Sequence, residues 1–200
     1  MKKRLILASQ SPRRKELLSW LDISFEVIPS DVDENSSEKD PQRLVEELSL
    51  RKAMDIWSKV NDSSAFIIAS DTLVFLGERI FGKPNNILEA REMLESLSGK
   101  EHTVRTAVSF IYESRESKIC QVTFSDKTLV EFAAISPYLL ERYLECGESL
   151  DKAGAYGIQG KSLSFIKSIK GSYSNVVGFP LSLVVERMKE CLGENWFDYF

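Results

Sequence analysis

Ser9-Gln10-Ser11-Pro12-Arg13-Arg14 places a hydroxyl and two guanidinium groups within one short stretch. An arginine fork is planar and always charged, and its donors match phosphate oxygens. Leu5 to Ala8 before it reads as a short buried strand, and Leu17, Leu18 and Leu21 after it recur at helical spacing. Ser11 and Pro12 suit the cap and first position of that helix. Cations sit badly against the dipole in a helix's first turn, and the free N–H groups there favour an anion. A phosphate chain is the ligand these parts suit. A solvated basic turn is the alternative reading.

Asp71 is the second group with chemistry in it. Ser70-Asp71-Thr72 interrupts a β-type run from Ala65 to Leu76. A carboxylate buried there without a partner is costly. It is therefore expected at a strand end or bulge, or facing a cleft where a cation or water meets it. A tight turn is the plainer alternative. Such a group can orient and deprotonate water, hold a divalent ion, or do both. Asp31, Asp33 and Glu34 lie in the polar loop 30–37, which reads as a solvated loop or as a metal-binding rim. Lys52, beside Arg51, reads on its own as a surface lysine, and Lys83 stands in a constrained Gly82-Lys83-Pro84 turn.

The segment Asp151 to Gly160 carries three glycines and Gln159. It makes a poor helix and a poor strand, but lets backbone approach a ligand. Neither dinucleotide nor P-loop spacing is present, so a plain connector remains open. His102, the only histidine, reads as a satisfied structural residue.

The elements that must position these groups follow from periodicity. Ile23 to Ile28 reads as a strand, Pro41 to Val60 as a long amphipathic helix and Ile87 to Leu97 as another. Lys100 to Tyr112 and Ile119 to Phe132 are long strands around a charged hairpin loop. Ser136-Pro137 opens a helix reaching Cys146-Gly147, Ser162 to Ile169 is a strand, Ser174 to Val177 a short helix, and Pro180 opens the last helix. The aromatic tail 196–200 is expected to pack on the body or on a partner.

Composition narrows the classes. The net charge is −4 and the pI about 5.3, whereas nucleic-acid binders are more often basic, so no nucleic acid is expected as partner. Mean hydropathy is −0.17, and no apolar run approaches membrane-spanning length, so no membrane is expected. The basic start is followed by an apolar run too short for a signal peptide. Three scattered cysteines suggest a reducing, cytoplasmic setting. One histidine argues against a histidine-ligated metal; any ion would be hard and oxygen-bound.

Several blocks together resemble the Maf family of nucleoside triphosphate pyrophosphatases. They are Leu7 to Arg14 continuing to Leu18, Ser70-Asp71-Thr72, Gly82-Lys83-Pro84, Leu97 to His102 with Thr106-Ala107-Val108, Asp151 to Gly160, and Gly171 to Leu181. Serine replaces the usual alanine at position 70, and Phe179 a more usual leucine. The resemblance implies a single domain over residues 1–200: an elongated α/β fold with a mixed, twisted sheet flanked by helices, of the Maf/inosine-triphosphatase-like kind, with two lobes around a cleft. It implies hydrolysis of a nucleoside triphosphate to monophosphate and pyrophosphate with a divalent cation, magnesium or manganese. Homodimers are usual in such proteins.

The resemblance also places functional positions on Ser9, Arg13, Arg14, Glu34, Lys52, Asp71, Lys83 and Gln159. Asp71 is implied as proton acceptor, with Asp71 and Glu34 toward metal. Arg13, Thr72 and Gln159 are tied to substrate choice. Four of these residues supply cations for a triphosphate: Arg13, Arg14, Lys52 and Lys83. The Tyr156-Gly157-Ile158-Gln159-Gly160 form resembles the subgroup acting on dTTP, UTP and related pyrimidine nucleotides. A house-cleaning or division-linked role would follow. The competing reading is a nucleotide-sensing module acting through a partner in division or stress control.

Overall fold

The apolar run before Ser9 and the one before Asp71 become neighbouring strands. In the computed structural model, which describes residues 2–200, the elements are β1 (Arg4–Leu7), α1 (Pro12–Ser19), β2 (Glu26–Val27), α2 (Pro41–Val60), β3 (Ala65–Leu76), β4 (Arg79–Phe81), α3 (Ile87–Leu97), β5 (Glu101–Glu113), β6 (Ile119–Phe132), α4 (Pro137–Leu144), β7 (Ile166–Lys170), α5 (Tyr173–Val177) and α6 (Leu181–Leu192). Short 3-10 turns cover Ala153–Ala155, Lys161–Ser164 and Trp196–Tyr199.

The sheet order is β2-β1-β3-β5-β6-β7, with β4 paired to β3. β1 runs parallel to β2 and β3, while β4 and β7 pair antiparallel, so the sheet is mixed. Helices start where the sequence supplies caps. Asp40 accepts from the Arg43 N–H at 2.8 Å, and Asn86 from the Glu89 N–H at 2.9 Å. Pro12, Pro41 and Pro137 occupy first helical positions. Ser11 takes the cap position of α1 in extended conformation, but its side chain makes no capping bond.

Three elements differ from expectation. β3 runs unbroken through Ser70-Asp71-Thr72, because partners outside the strand satisfy the polar side chains and no turn is needed. β2 shrinks to two exposed residues, since only Ile6 and Leu7 of β1 offer it partners. The expected 162–169 strand splits at Phe165 into a 3-10 turn and β7.

The chain divides into two compact units. One comprises residues up to Asp71 with Thr106–Asp126 and Gly178–Phe200; the other Thr72–Arg105 with Lys127–Val177. In the first, Ile6, Ala8, Ala53, Ile56, Ala65, Ile67, Ala69 and Ile111 form a core. The ring of Phe66, fully buried, packs against Phe110, Tyr112 and Phe200, a burial contributing about 1.5–3 kcal/mol. The aromatic tail thus packs on the body. In the second unit, α3 and α4 cover strand residues Val74, Val104, Val130 and Phe132. Among the described residues no helix is long and apolar enough to cross a membrane.

Candidate active site

Alternation along β3 decides where Asp71 points. Ala65, Ile67 and Ala69 join Ala53 and Ile56 of α2 in one core, and Asp71 lies two residues further along the same face. Lys52 precedes Ala53 on the covering helix. Its Nζ donates to Asp71 Oδ1 at 2.6 Å and lies 2.7 Å from Glu34 Oε1. The Lys52 and Asp71 side chains are only 12% and 8% exposed, while Glu34 is 55% exposed. The lysine that reads as a surface residue is therefore the buried partner of the strand carboxylate.

The Glu34 loop is held by a residue the sequence reading passed over. Arg51 Nη1 donates to the carbonyls of Asp33 and Asn35 at 2.7 and 2.8 Å. The Asp33 carboxylate turns aside to accept from the Asn35 N–H, so Glu34 is the one that meets Lys52. The only sequence signal for Arg51 was its adjacency to Lys52.

Arg14 knits the other side of this unit. Its Nε donates to the Gly178 carbonyl at 2.9 Å, and its Nη1 to the Ser70 carbonyl at 2.6 Å and to Ser9 Oγ at 3.3 Å. The Ser70 hydroxyl donates to the same Gly178 oxygen at 3.1 Å. Burial lowers the Arg14 pKa and the charge of Arg13 adds to that, while Asp71 and Glu34 pull it back up. Arginine stays charged regardless, so a cation sits within the electrostatic reach of both carboxylates. Arg13 is half-exposed in the first turn of α1.

Thr72, Lys83 and Gln159 belong to the second unit. Thr72 is half-buried, directly after Asp71 on β3; Lys83 is exposed and Gln159 half-buried. The Gly154 N–H donates to the Gly82 carbonyl at 3.0 Å, which ties the Lys83 turn to the Gln159 loop. Gly154 has φ +68°, and a Cβ there would meet the Val74 side chain at 3.1 Å, so any other residue would be strained and would crowd Val74. His102 is buried, its Nε2 sharing a 2.7 Å hydrogen bond with the Tyr156 hydroxyl. Desolvation lowers its pKa to about 4, with the Lys100 backbone pulling the other way. His102 is thus a buried residue satisfied on one side only: Nδ1 has no hydrogen-bond partner among the described residues.

The first unit thus gathers Ser9, Arg14, Glu34, Lys52 and Asp71. That arrangement can bind anionic oxygen at its cations and accept a proton at Asp71. Among the described residues no three His, Cys, Asp or Glu side chains form a metal-ligand set. Magnesium, however, is commonly held by one or two carboxylates plus substrate phosphates and water. Asp71 and Glu34, converging on one ammonium, fit that pattern.

A family model described as Maf-like protein matches residues 4–191. The chain belongs to the Maf family. Relatives of this Maf chain include a protein of Thermosipho africanus, 48% identical over 90% of each chain, and one of Bacillus cereus, 42% identical over 94% of this chain and 90% of its own. Both carry the name dTTP/UTP pyrophosphatase. Among solved structures, a HAM1 protein from Coxiella burnetii aligns with TM-score 0.54 at 16% identity, covering 94% of the Maf chain and 99% of its own. The Staphylococcus aureus Ham1 protein aligns with TM-score 0.53 at 15% identity over the same shares. At that identity these two bear on the fold alone, and they share the α/β architecture with its mixed sheet.

Proposed function

We propose that this chain hydrolyses dTTP and UTP to the monophosphate and pyrophosphate. The observation that carries the reading is the buried Asp71 carboxylate, held 2.6 Å from Lys52 and beside the Arg14 cluster. Two relatives at 48% and 42% identity, named dTTP/UTP pyrophosphatases, supply the substrate.

Phosphoryl-type transfer asks a protein mainly for charge neutralisation and for placement of the nucleophile. Arg14 and Lys52, with Arg13, bind triphosphate oxygens. When phosphate draws the Lys52 ammonium, Asp71 is released to accept a proton from the attacking water at a carboxylate oxygen. Ser9 donates its hydroxyl to a phosphate oxygen. Asp71 and Glu34 are the carboxylates that would hold a hard divalent cation, magnesium or manganese, and such an ion would supply charge neutralisation on the phosphates.

Base choice is assigned to Gln159. Uracil and thymine offer acceptor, donor, acceptor along the pairing edge, and a glutamine amide offers one donor beside one acceptor. A site built to pair polar groups rejects mismatches far better than one sensing a methyl group, so dTTP and UTP are both used. The test is pyrophosphate release from a panel of triphosphates, including 7-methyl-GTP, by wild type and Gln159→Ala. The wild type should favour dTTP and UTP over purines in kcat/KM, and the variant should lose much of that preference. A wild type preferring 7-methyl-GTP or GTP would refute the substrate assignment.

A further inference from the structure

Tyr156 stands three residues before Gln159, at the point where the loop leaves the core of the second unit. Its ring is buried and packs edge-on against Phe132 and His102, with centroids 4.7 and 5.4 Å away. Its hydroxyl meets His102 Nε2 at 2.7 Å. His102 belongs to β5, on the sheet. One hydrogen bond therefore joins strand β5 to the root of the loop. Beyond it, the Ser162 hydroxyl donates to the Gly157 carbonyl and the Lys161 N–H to Glu148 Oε2. Gln159, between these anchors, stays half-exposed.

Filling this core would not by itself call for an imidazole. Burying a polar ring costs free energy that an apolar side chain of similar size avoids. Nδ1 of the ring has no hydrogen-bond partner among the described residues, so the Nε2–hydroxyl bond is the directional contact that orients the two rings against each other. That orientation fixes the exit of the loop that carries Gln159. A displacement of about 1 Å in a recognition group is enough to change discrimination substantially.

We propose that His102 and Tyr156 are positioning residues that set the placement of Gln159 and so the preference for a pyrimidine base. The proposal rests on the assignment of Gln159 to base choice made above. Neither residue touches the substrate; both act through the loop.

The experiment compares wild type, Tyr156→Phe, His102→Gln, His102→Phe, Gln159→Ala and the Tyr156→Phe/Gln159→Ala double variant on dTTP, UTP and GTP. Tyr156→Phe deletes only the hydroxyl. It should lower the dTTP-over-GTP preference about threefold to tenfold, the range of one net hydrogen bond. The loss should appear in KM for dTTP and UTP, with kcat at saturation nearly unchanged. His102→Gln keeps a polar group near Nε2 and should retain more preference than His102→Phe. In the Gln159→Ala background the tyrosine substitution should have no further effect on preference. Hydrogen exchange of residues 152–162 should quicken in Tyr156→Phe while β3 stays protected. An unchanged preference in Tyr156→Phe, an equal fall of kcat on all substrates, or additive losses in the double variant would each overturn the proposal. Gln159→Ala alone, compared with wild type, decides the base-reading assignment separately.

Discussion

Lys52 Nζ and Asp71 Oδ1 lie 2.6 Å apart, one on α2 and the other inside β3, both largely withdrawn from water. The pair explains how a carboxylate tolerates the interior of an apolar strand. The same ammonium also meets the Glu34 carboxylate, at 2.7 Å.

Asp71→Asn keeps the shape and removes the basic oxygen. Turnover of dTTP should fall by roughly 10²–10⁴, the range lost with a general base, while triphosphate binding survives in part. Steady-state kinetics with calorimetric binding checks both. Turnover like the wild type's would remove Asp71 from the mechanism.

Lys52→Met leaves the Asp71 carboxylate buried without its ammonium. Breaking one side of such a pair costs about 3 kcal/mol or more when burial is full, and somewhat less is expected here because Glu34 is exposed and water can reach that end. KM for the triphosphate should rise as well. The double variant Lys52→Met/Asp71→Asn should recover stability in urea unfolding but not activity. A double variant as unstable as Lys52→Met would show that the pair is not the source of the loss.

His102 makes the fold sensitive to acid. Its pKa falls from 6.5 to about 4 on folding, so between those values the unfolded chain binds more protons than the native one. The contribution of this group is therefore full above about pH 6.5 and is lost as pH falls toward 4. One group with this shift accounts for about 2 kcal/mol between pH 7 and pH 5. His102→Gln should flatten that dependence in denaturant titrations at the two pH values. Parallel slopes in the two proteins would mean that another group titrates.

The proposed divalent ion predicts loss of turnover with excess EDTA and recovery with magnesium or manganese. Glu34→Gln should raise the ion concentration needed for half-maximal rate more than it changes the rate at saturating ion, because substrate oxygens and Asp71 remain. Turnover indifferent to EDTA would end the metal assignment and leave the proton acceptor in place.

The chain's local signals fixed a good deal. The bounds of Pro41–Val60, Ile87–Leu97 and Ile119–Phe132 follow from caps, prolines and periodicity, since these forces act over one or two turns. The colinear blocks carrying Ser9, Arg14, Asp71 and Gln159 were also legible, because residue type and order survive in the string. Tertiary structure decided what depends on distant partners. Ser70-Asp71-Thr72 reads as a break, yet β3 runs through it because Lys52, 19 residues away in sequence, and the Gly178 carbonyl satisfy its polar groups. Glu34 and not Asp33 meets Lys52 because Arg51 grips the loop from both sides. The role of His102 waited on Tyr156, 54 residues later. In each case the deciding energy is a desolvated polar contact between segments far apart in the chain, and no periodicity or propensity records it.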